Sequence, residues 1–206
     1  MASVLREFAR LTHTKPVFRY LKRRFSQAGP DEEQSVALMD NRYNQLTIDV
    51  MGRVLQPDSN CVDVGAHVGS LLSHMVTLAP EGRHFAFEPL PDFARDLRQR
   101  FPGVEVVEAA AAEAQGTATF RYVSSDPGFS SLARLPYNPM DEKVTPMTVQ
   151  TVRLDDALPP ELPIRFIKVD VNGGEIAFFE GATRTLSTWK PFVAFELGWG
   201  PEEVYA

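Results

Sequence analysis

Short apolar runs alternate along this chain with longer stretches whose apolar residues recur at helical spacing. The clearest case begins at Cys61. CVDV reads as a buried strand, a tight turn holding Gly65 and Gly69 follows, and Leu71, Leu72, Met75 and Val76 then share one face of a helix. The alternation continues with a strand from His84 to Glu88, a helix from Pro91 to Phe101 and a strand from Val104 to Ala109. Further on come a strand from Arg165 to Val169, a helix from Gly174 to Leu186 and a last strand from Phe192 to Glu196. Strands and helices alternating across short turns predict an α/β fold, with a mostly parallel central sheet and helices on both faces. Right-handed crossovers follow from that arrangement.

Three stretches stand outside this rhythm. Residues 1 to 25 hold two helical candidates split before Pro16, with Val4, Leu5, Phe8 and Leu11 apolar in the first and Val17, Tyr20, Leu21 and Phe25 in the second. The apolar stripe is short and the basic cluster Lys22, Arg23, Arg24 small. These residues therefore read as a helical cap with solvated charges rather than a membrane-surface or partner-binding element. Ser26 to Glu33 reads as a loop, which divides the chain into a cap and loop over 1–35 and a main domain over 36–206. Asp40 is expected to cap a helix that buries Leu46, Val50, Met51, Val54 and Leu55. In the middle, Thr117 to Val123 and Met147 to Val152 look extended, and Pro127, Pro136, Pro139 and Pro146 exclude a lasting helix between them. Such an excursion reads as a lid or binding loop, with Ser130, Ser131, Arg134 and Tyr137 as polar contacts for a substrate.

The turn after the first strand carries the chemistry. A βα corner with glycines is where an open α/β sheet receives a nucleotide, and Gly65 and Gly69 are expected to let backbone and ligand approach closely. The run GAHVG lacks the close first pair of a GxGxxG dinucleotide fingerprint, which disfavours an NAD-dependent oxidoreductase. Glu88 ends the second strand, where a carboxylate can accept hydrogen bonds from ribose hydroxyls. A nucleoside without phosphates satisfies both elements, and S-adenosylmethionine (SAM) is the common cofactor of that kind.

Lys168 and Asp170 close a strand expected to be buried on both faces, where ions are excluded unless paired or used. Spaced two apart, they project to one side of the sheet. Either they form a structural Lys–Asp pair anchoring the glycine turn that follows, or Asp170, at the carboxyl edge of the sheet where ligands bind, is the first candidate for a general base, with Lys168 structural. His67 is the second candidate, although its place in the glycine turn suits a cofactor contact or loop hydrogen bond better. Glu175 opens a helix, Asn172 can hydrogen-bond but cannot act as a base, and Glu196 can face the same crevice or be structural. No cluster of His and carboxylate has metal-ligand spacing, so no metal is expected.

Composition narrows the partners. The 206 residues fit one domain with a sizeable core. A net charge of −6 argues against a nucleic-acid binder, which carries a basic surface. The single cysteine, Cys61, has no partner for an internal disulfide and reads as a small core side chain. No apolar run approaches a membrane span, and Arg6, Glu7 and Arg10 interrupt the N-terminal segment as a signal peptide would not allow, so a cytoplasmic location is expected.

From about Asp40 onward the chain resembles the FkbM-type SAM-dependent methyltransferases. The motifs that carry the resemblance run in order. They are DVGAHVG from Asp63, FEPLP from Phe87, EAAAAEAQGTATF from Glu108, SSL from Ser130, LDD from Leu154 and IKVDVNGGEIAFFEGA from Ile167. The resemblance implies a class I methyltransferase Rossmann-like fold, with SAM as cofactor and a hydroxyl oxygen of a small molecule or sugar as acceptor. It places Asp63, Gly65 and Gly69 around the methionine part of SAM, Glu88 at the ribose and the backbone near Ala110 at the adenine, and Ala66, His67, Pro89 and Asp170 are expected as further cofactor contacts. Ser130, Ser131 and Asn172 are expected on the acceptor side. Two residues depart from the family pattern, since His67 stands where Asn is usual and Asn172 where DVEG has an acid. The altered acid keeps open a non-catalytic SAM-binding or interaction protein. Fold relatives also continue past the fifth strand into an antiparallel pair, whereas this chain stops at Ala206, a few residues beyond PFVAFEL, so either the form is truncated or the sheet is finished by something outside the chain. The last strand is therefore expected to be an edge that is exposed, covered by the N-terminal helices, or paired in a homo-oligomer.

Overall fold

The computed structural model describes residues 30–124, 127–132 and 144–195, with side chains from residue 42 onward. The N-terminal helical candidates, Arg134, Tyr137, most of the expected lid and Glu196 lie outside the described residues.

Helix α1 (Pro30–Val54) leads into strand β1 (Asn60–Val64), followed by α2 (Ser70–Leu78), β2 (His84–Phe87), α3 (Pro91–Arg100) and β3 (Val104–Val107). After a short β4 (Ala110–Ala111) come β5 (Gly116–Val123), a 3₁₀ turn (Pro127–Phe129) and β6 (Val144–Val152). The chain continues through α4 (Leu154–Ala157), β7 (Ile164–Val169), α5 (Glu175–Gly181), α6 (Thr183–Trp189) and β8 (Phe192–Phe195). Five strands form a parallel sheet in the order β3-β2-β1-β7-β8, so the expected α/β architecture is present, with β8 at one end of the sheet. The order reverses direction between β1 and β7, which makes their carboxyl ends the topological switch point of a doubly wound fold.

The period-2 alternation of each strand sorts its residues between two cores. Val62, Val64, Phe85, Phe87, Ile167 and Val169 pack with Phe178, Phe179 and Leu186 from α5 and α6. Cys61, Ala86 and Phe166 pack with Met51, Leu72, Met75 and Leu97 from the first three helices. Each fully buried side chain of this size contributes about 1.5–3 kcal/mol, so covering both faces accounts for most of the driving force. Cys61 is wholly buried, and burial pushes its thiol up to about 12.

Several boundaries differ from the sequence expectations. Helix α1 already runs from Pro30, so the loop expected to reach Glu33 is shorter and Asp40 lies inside the helix rather than capping it. Among its described side chains Met51 is buried, as is Leu55 just past its end, with Ile48 and Val54 packed beside them, whereas Leu46 and Val50 are exposed at 47% and 37%. The helix docks on α2 through the 48/51/55 stripe, and residues 46 and 50 fall outside it. The helix expected from Gly174 to Leu186 is two helices hinged at Ala182. Next to that break, a Cβ on Gly181 would stand 2.0 Å from the Ala112 carbonyl oxygen.

The strand expected to end at Ala109 stops at Val107, and the chain then enters a second sheet, ordered β4-β6-β5, that the sequence reading did not contain. Pro146 belongs to β6, opposite Arg121, and not to the intervening loop. It is tolerated there because β4 pairs β6 only at Thr151 and Val152, which among the described residues leaves the strand unpaired on one side at the proline.

Candidate active site at the sheet switch point

The glycine turn leaves β1 directly above the switch point. Gly65 and Ala66 donate their N–H groups to the Phe87 carbonyl at 2.9 and 3.2 Å, which ties the turn to the end of β2. Gly65 has φ 74°, and a Cβ on it would lie 1.9 Å from the Asp170 carbonyl oxygen. Gly69 has φ 75°, and its Cβ would press within 2.8 Å of Leu97 and Phe101. At Gly65 the clash would be with backbone, at Gly69 with the ends of two side chains, and the left-handed φ at both positions favours glycine. The close backbone approach expected at the turn is present at Gly65, which also lines the cleft described below.

Glu88 follows β2 and is 4% exposed. Its Oε2 accepts the His67 N–H at 2.8 Å and its Oε1 accepts the Leu90 N–H at 2.9 Å. Burial holds this carboxyl above the usual glutamate range, and the two amide hydrogen bonds only partly offset that. A carboxylate has about four acceptor positions, so lone pairs remain for hydroxyl groups. His67 adopts φ 49°, a left-handed conformation uncommon for a non-glycine residue, and its ring stands 4.3 Å from that of Phe93.

Asp63 and Lys168 are direct register partners across β1 and β7. Lys168 Nζ lies 3.3 Å from Asp63 Oδ1 and 3.7 Å from Asp170 Oδ2, and it donates to the Gly65 carbonyl at 2.8 Å. Its partners are therefore Asp63 and the glycine turn as well as Asp170, a wider set than the Lys168–Asp170 pair read from the sequence. Burial acts to depress the lysine pKa, but Asp63, Asp170 and Glu88 outweigh it and hold the ammonium above its ordinary value. Asp63 is 1% exposed on its side chain, whereas Asp170 is 40% exposed.

A cleft opens over these strand ends. Gly65, His67, Glu88, Pro89, Ala110, Ser130, Asp170 and Asn172 line it, as the sequence grouped them. Asp63, Ala66, Gly69 and Ser131 do not, because they are buried beneath or beside the turn and the second sheet. The Ser130 hydroxyl accepts the Val123 N–H at 3.0 Å. Asn172, at φ 48°, donates its amide to the carbonyls of Gly128 and Ser130. Glu175 is buried, with Oε1 accepting the Gly173 N–H at 3.1 Å, so it closes the turn before α5.

The sequence reading missed the apolar wall formed by Leu90, Ala109, Phe120 and Leu132. Leu90, Ala110 and Phe120 share a small core with Val149, so the second sheet builds this wall. Alternation in GTATFRYV was the available signal for Phe120, but it does not say which sheet the strand joins.

A parallel sheet with its crevice at the reversal of strand order defines a doubly wound, nucleotide-binding type of α/β protein. Residues 63–205 match the family described as methyltransferase FkbM domain, and the chain belongs to that family of SAM-dependent methyltransferases. It is 33% identical over 99 residues to the AMB antimetabolite synthetase AmbE of Pseudomonas aeruginosa, a match covering 44% of this chain and 5% of that protein. Among solved structures it is similar to the precorrin-6y C5,15-methyltransferase of Geobacter metallireducens, with 18% identity, TM-score 0.44, and coverage of 74% of this chain and 60% of that one. It is also similar to a SAM-dependent methyltransferase of Aquifex aeolicus, with 11% identity, TM-score 0.40, and coverage of 86% and 81%. The chain thus spans only a small part of the synthetase and about three fifths of the Geobacter protein.

Among the described residues no helix is long and apolar enough to cross a membrane, and no group of three or more His, Cys, Asp or Glu is arranged to hold a metal ion.

Proposed function

We propose that this chain transfers a methyl group from SAM to a hydroxyl oxygen of a small molecule or sugar. The observation that carries this reading is the pairing, in one cleft, of the anchored Glu88 carboxylate with the half-exposed Asp170 carboxylate across the switch point. The residues present fit the cofactor. Glu88 keeps lone pairs for two ribose hydroxyls, and Phe87, Leu90, Ala109, Ala110 and Phe120 offer an apolar slot for a flat base. A SAM molecule bound in this cleft would find in the Asp170 carboxylate a counter-charge for its sulfonium.

When bound, SAM supplies an already activated methyl group. What remains for the protein is alignment and removal of the acceptor proton. Gly65 and Glu88 hold the donor side, and Asp170 Oδ accepts the proton as the acceptor oxygen forms its bond. Lys168, locked to Asp63 and to the Gly65 carbonyl, keeps Asp170 and the turn in register. The similarity of one segment to part of an antimetabolite synthetase supports a small metabolite as the acceptor.

The test is turnover. Purified protein incubated with SAM and a panel of hydroxylated metabolites and sugars should yield S-adenosylhomocysteine and a methyl ether. SAM binding without product across the panel would favour a non-catalytic binder, and tighter binding of NADH than of SAM would overturn the reading.

A further inference from the structure

The cleft has two lips built by different sheets. One is the end of β7 with Asp170, Val171 and Asn172, and the other is the segment 127–132 that follows β5. That second lip is tied to its own sheet. Arg121 and Ser131 exchange backbone hydrogen bonds at 2.8 and 3.2 Å, the Ser130 N–H donates to the Pro127 carbonyl at 3.1 Å, and Ser130 Oγ accepts the Val123 N–H. Toward β7 it is tied by the Asn172 side chain, whose Nδ2 donates to the Gly128 carbonyl at 2.7 Å and to the Ser130 carbonyl at 3.3 Å.

We propose that Asn172 is a positioning residue whose side-chain amide clasps the 127–131 turn to the end of β7 and thereby sets the opening of the cofactor cleft. The inference rests on the SAM reading above only for the identity of what fills the cleft. Both partners are carbonyl oxygens, so only the NH₂ end of the amide satisfies them, and both of its hydrogens are used. A carboxylate at this position would set further acceptors against two carbonyls and drive the lips apart. The backbone also suits the residue. Asn tolerates the left-handed conformation at φ 48°, and Gly173 at φ 93° continues it, so the amide is held over the cleft by a turn that most side chains would strain. The residue read from the sequence as an acceptor contact thus acts on the wall of the site.

The test uses Asn172→Asp, which keeps the shape and removes the donor, and Asn172→Gly, which keeps the left-handed turn and removes the side chain. Hydrogen exchange on the cofactor-free protein reads the clasp directly. The Ser130 and Ser131 amides should exchange about tenfold faster or more in both variants, the scale of one or two lost hydrogen bonds, while the β1 amides stay protected. Calorimetry with S-adenosylhomocysteine should show affinity weakened about tenfold, more in Asn172→Asp than in Asn172→Gly because of the added repulsion. Unchanged Ser130 and Ser131 exchange in a folded variant would overturn the clasp. Faster exchange with unchanged affinity would overturn its role in the cleft. A wild-type protein that binds neither SAM nor S-adenosylhomocysteine would defeat the functional reading while the exchange result still judged the clasp. Should Asn172→Asp fail to fold, Asn172→Gly carries both measurements.

Discussion

The Glu88 carboxylate accepts the backbone N–H of His67 at 2.8 Å, so the acid at the end of β2 also holds the glycine turn that follows β1. Removing it takes away a ligand group and a structural acceptor together. Glu88→Ala should weaken SAM binding well beyond tenfold by calorimetry and lower folding stability by about 1–3 kcal/mol in denaturant titration, since two backbone amides lose their acceptor. Equal affinity in both proteins would remove Glu88 from the cofactor site.

Because burial raises the Glu88 pKa, this group loses its charge at a milder acidity than an ordinary glutamate. SAM affinity of the wild type should therefore fall as pH drops through that raised value, measured by calorimetry across mildly acidic buffers. The stability effect has the opposite sign. A folded pKa above the unfolded one contributes stability that is present below the unfolded value and lost as pH rises through the folded one. Glu88→Gln should flatten both slopes.

Asp63 and Lys168 face each other across adjacent strands with almost no solvent contact. Lys168→Met leaves a buried carboxylate without its counter-charge and should cost about 3–5 kcal/mol in chemical denaturation. Adding Asp63→Asn should recover much of that loss, and simple additivity of the two changes would show that they do not interact. Since the folded Lys168 pKa is raised, its contribution should persist through neutral pH and up to the ordinary lysine value, then vanish as pH rises through the folded one.

Asp170 is half-exposed and only loosely paired with Lys168 at 3.7 Å, so Asp170→Asn should leave the melting temperature nearly unchanged. Turnover should fall about a hundredfold or more with SAM affinity largely kept, as expected for a lost general base. A folded Asp170→Asn protein of full activity would end this assignment.

His67 pays a conformational penalty at φ 49° and recovers part of it against Phe93. His67→Asn should change stability by no more than about 1 kcal/mol, because Asn tolerates the left-handed turn but loses the ring contact. Its turnover should stay within a few-fold of wild type. A hundredfold loss would move the general base from Asp170 to His67.

The sequence alone determined the alternation of strands and helices, the glycine turn after β1, the acid after β2 and the acid and amide after β7. Each is written in short-range periodicity or in a turn residue, and such signals survive without knowledge of neighbours. Tertiary structure alone decided which strands lie side by side. Asp63 and Lys168 are 105 positions apart in sequence order and meet only because β1 and β7 pair in register, which no local pattern encodes. The same holds for the second sheet. GTATFRYV and VTPMTVQTV read as strands, but their joining with Ala110–Ala111 into a wall of the cleft depends on long-range pairing. Even the glycines follow this division. Their places in the turn were legible, whereas the Asp170 carbonyl that excludes a Cβ at Gly65 and the Leu97 and Phe101 side chains that crowd Gly69 come close only when the chain is folded.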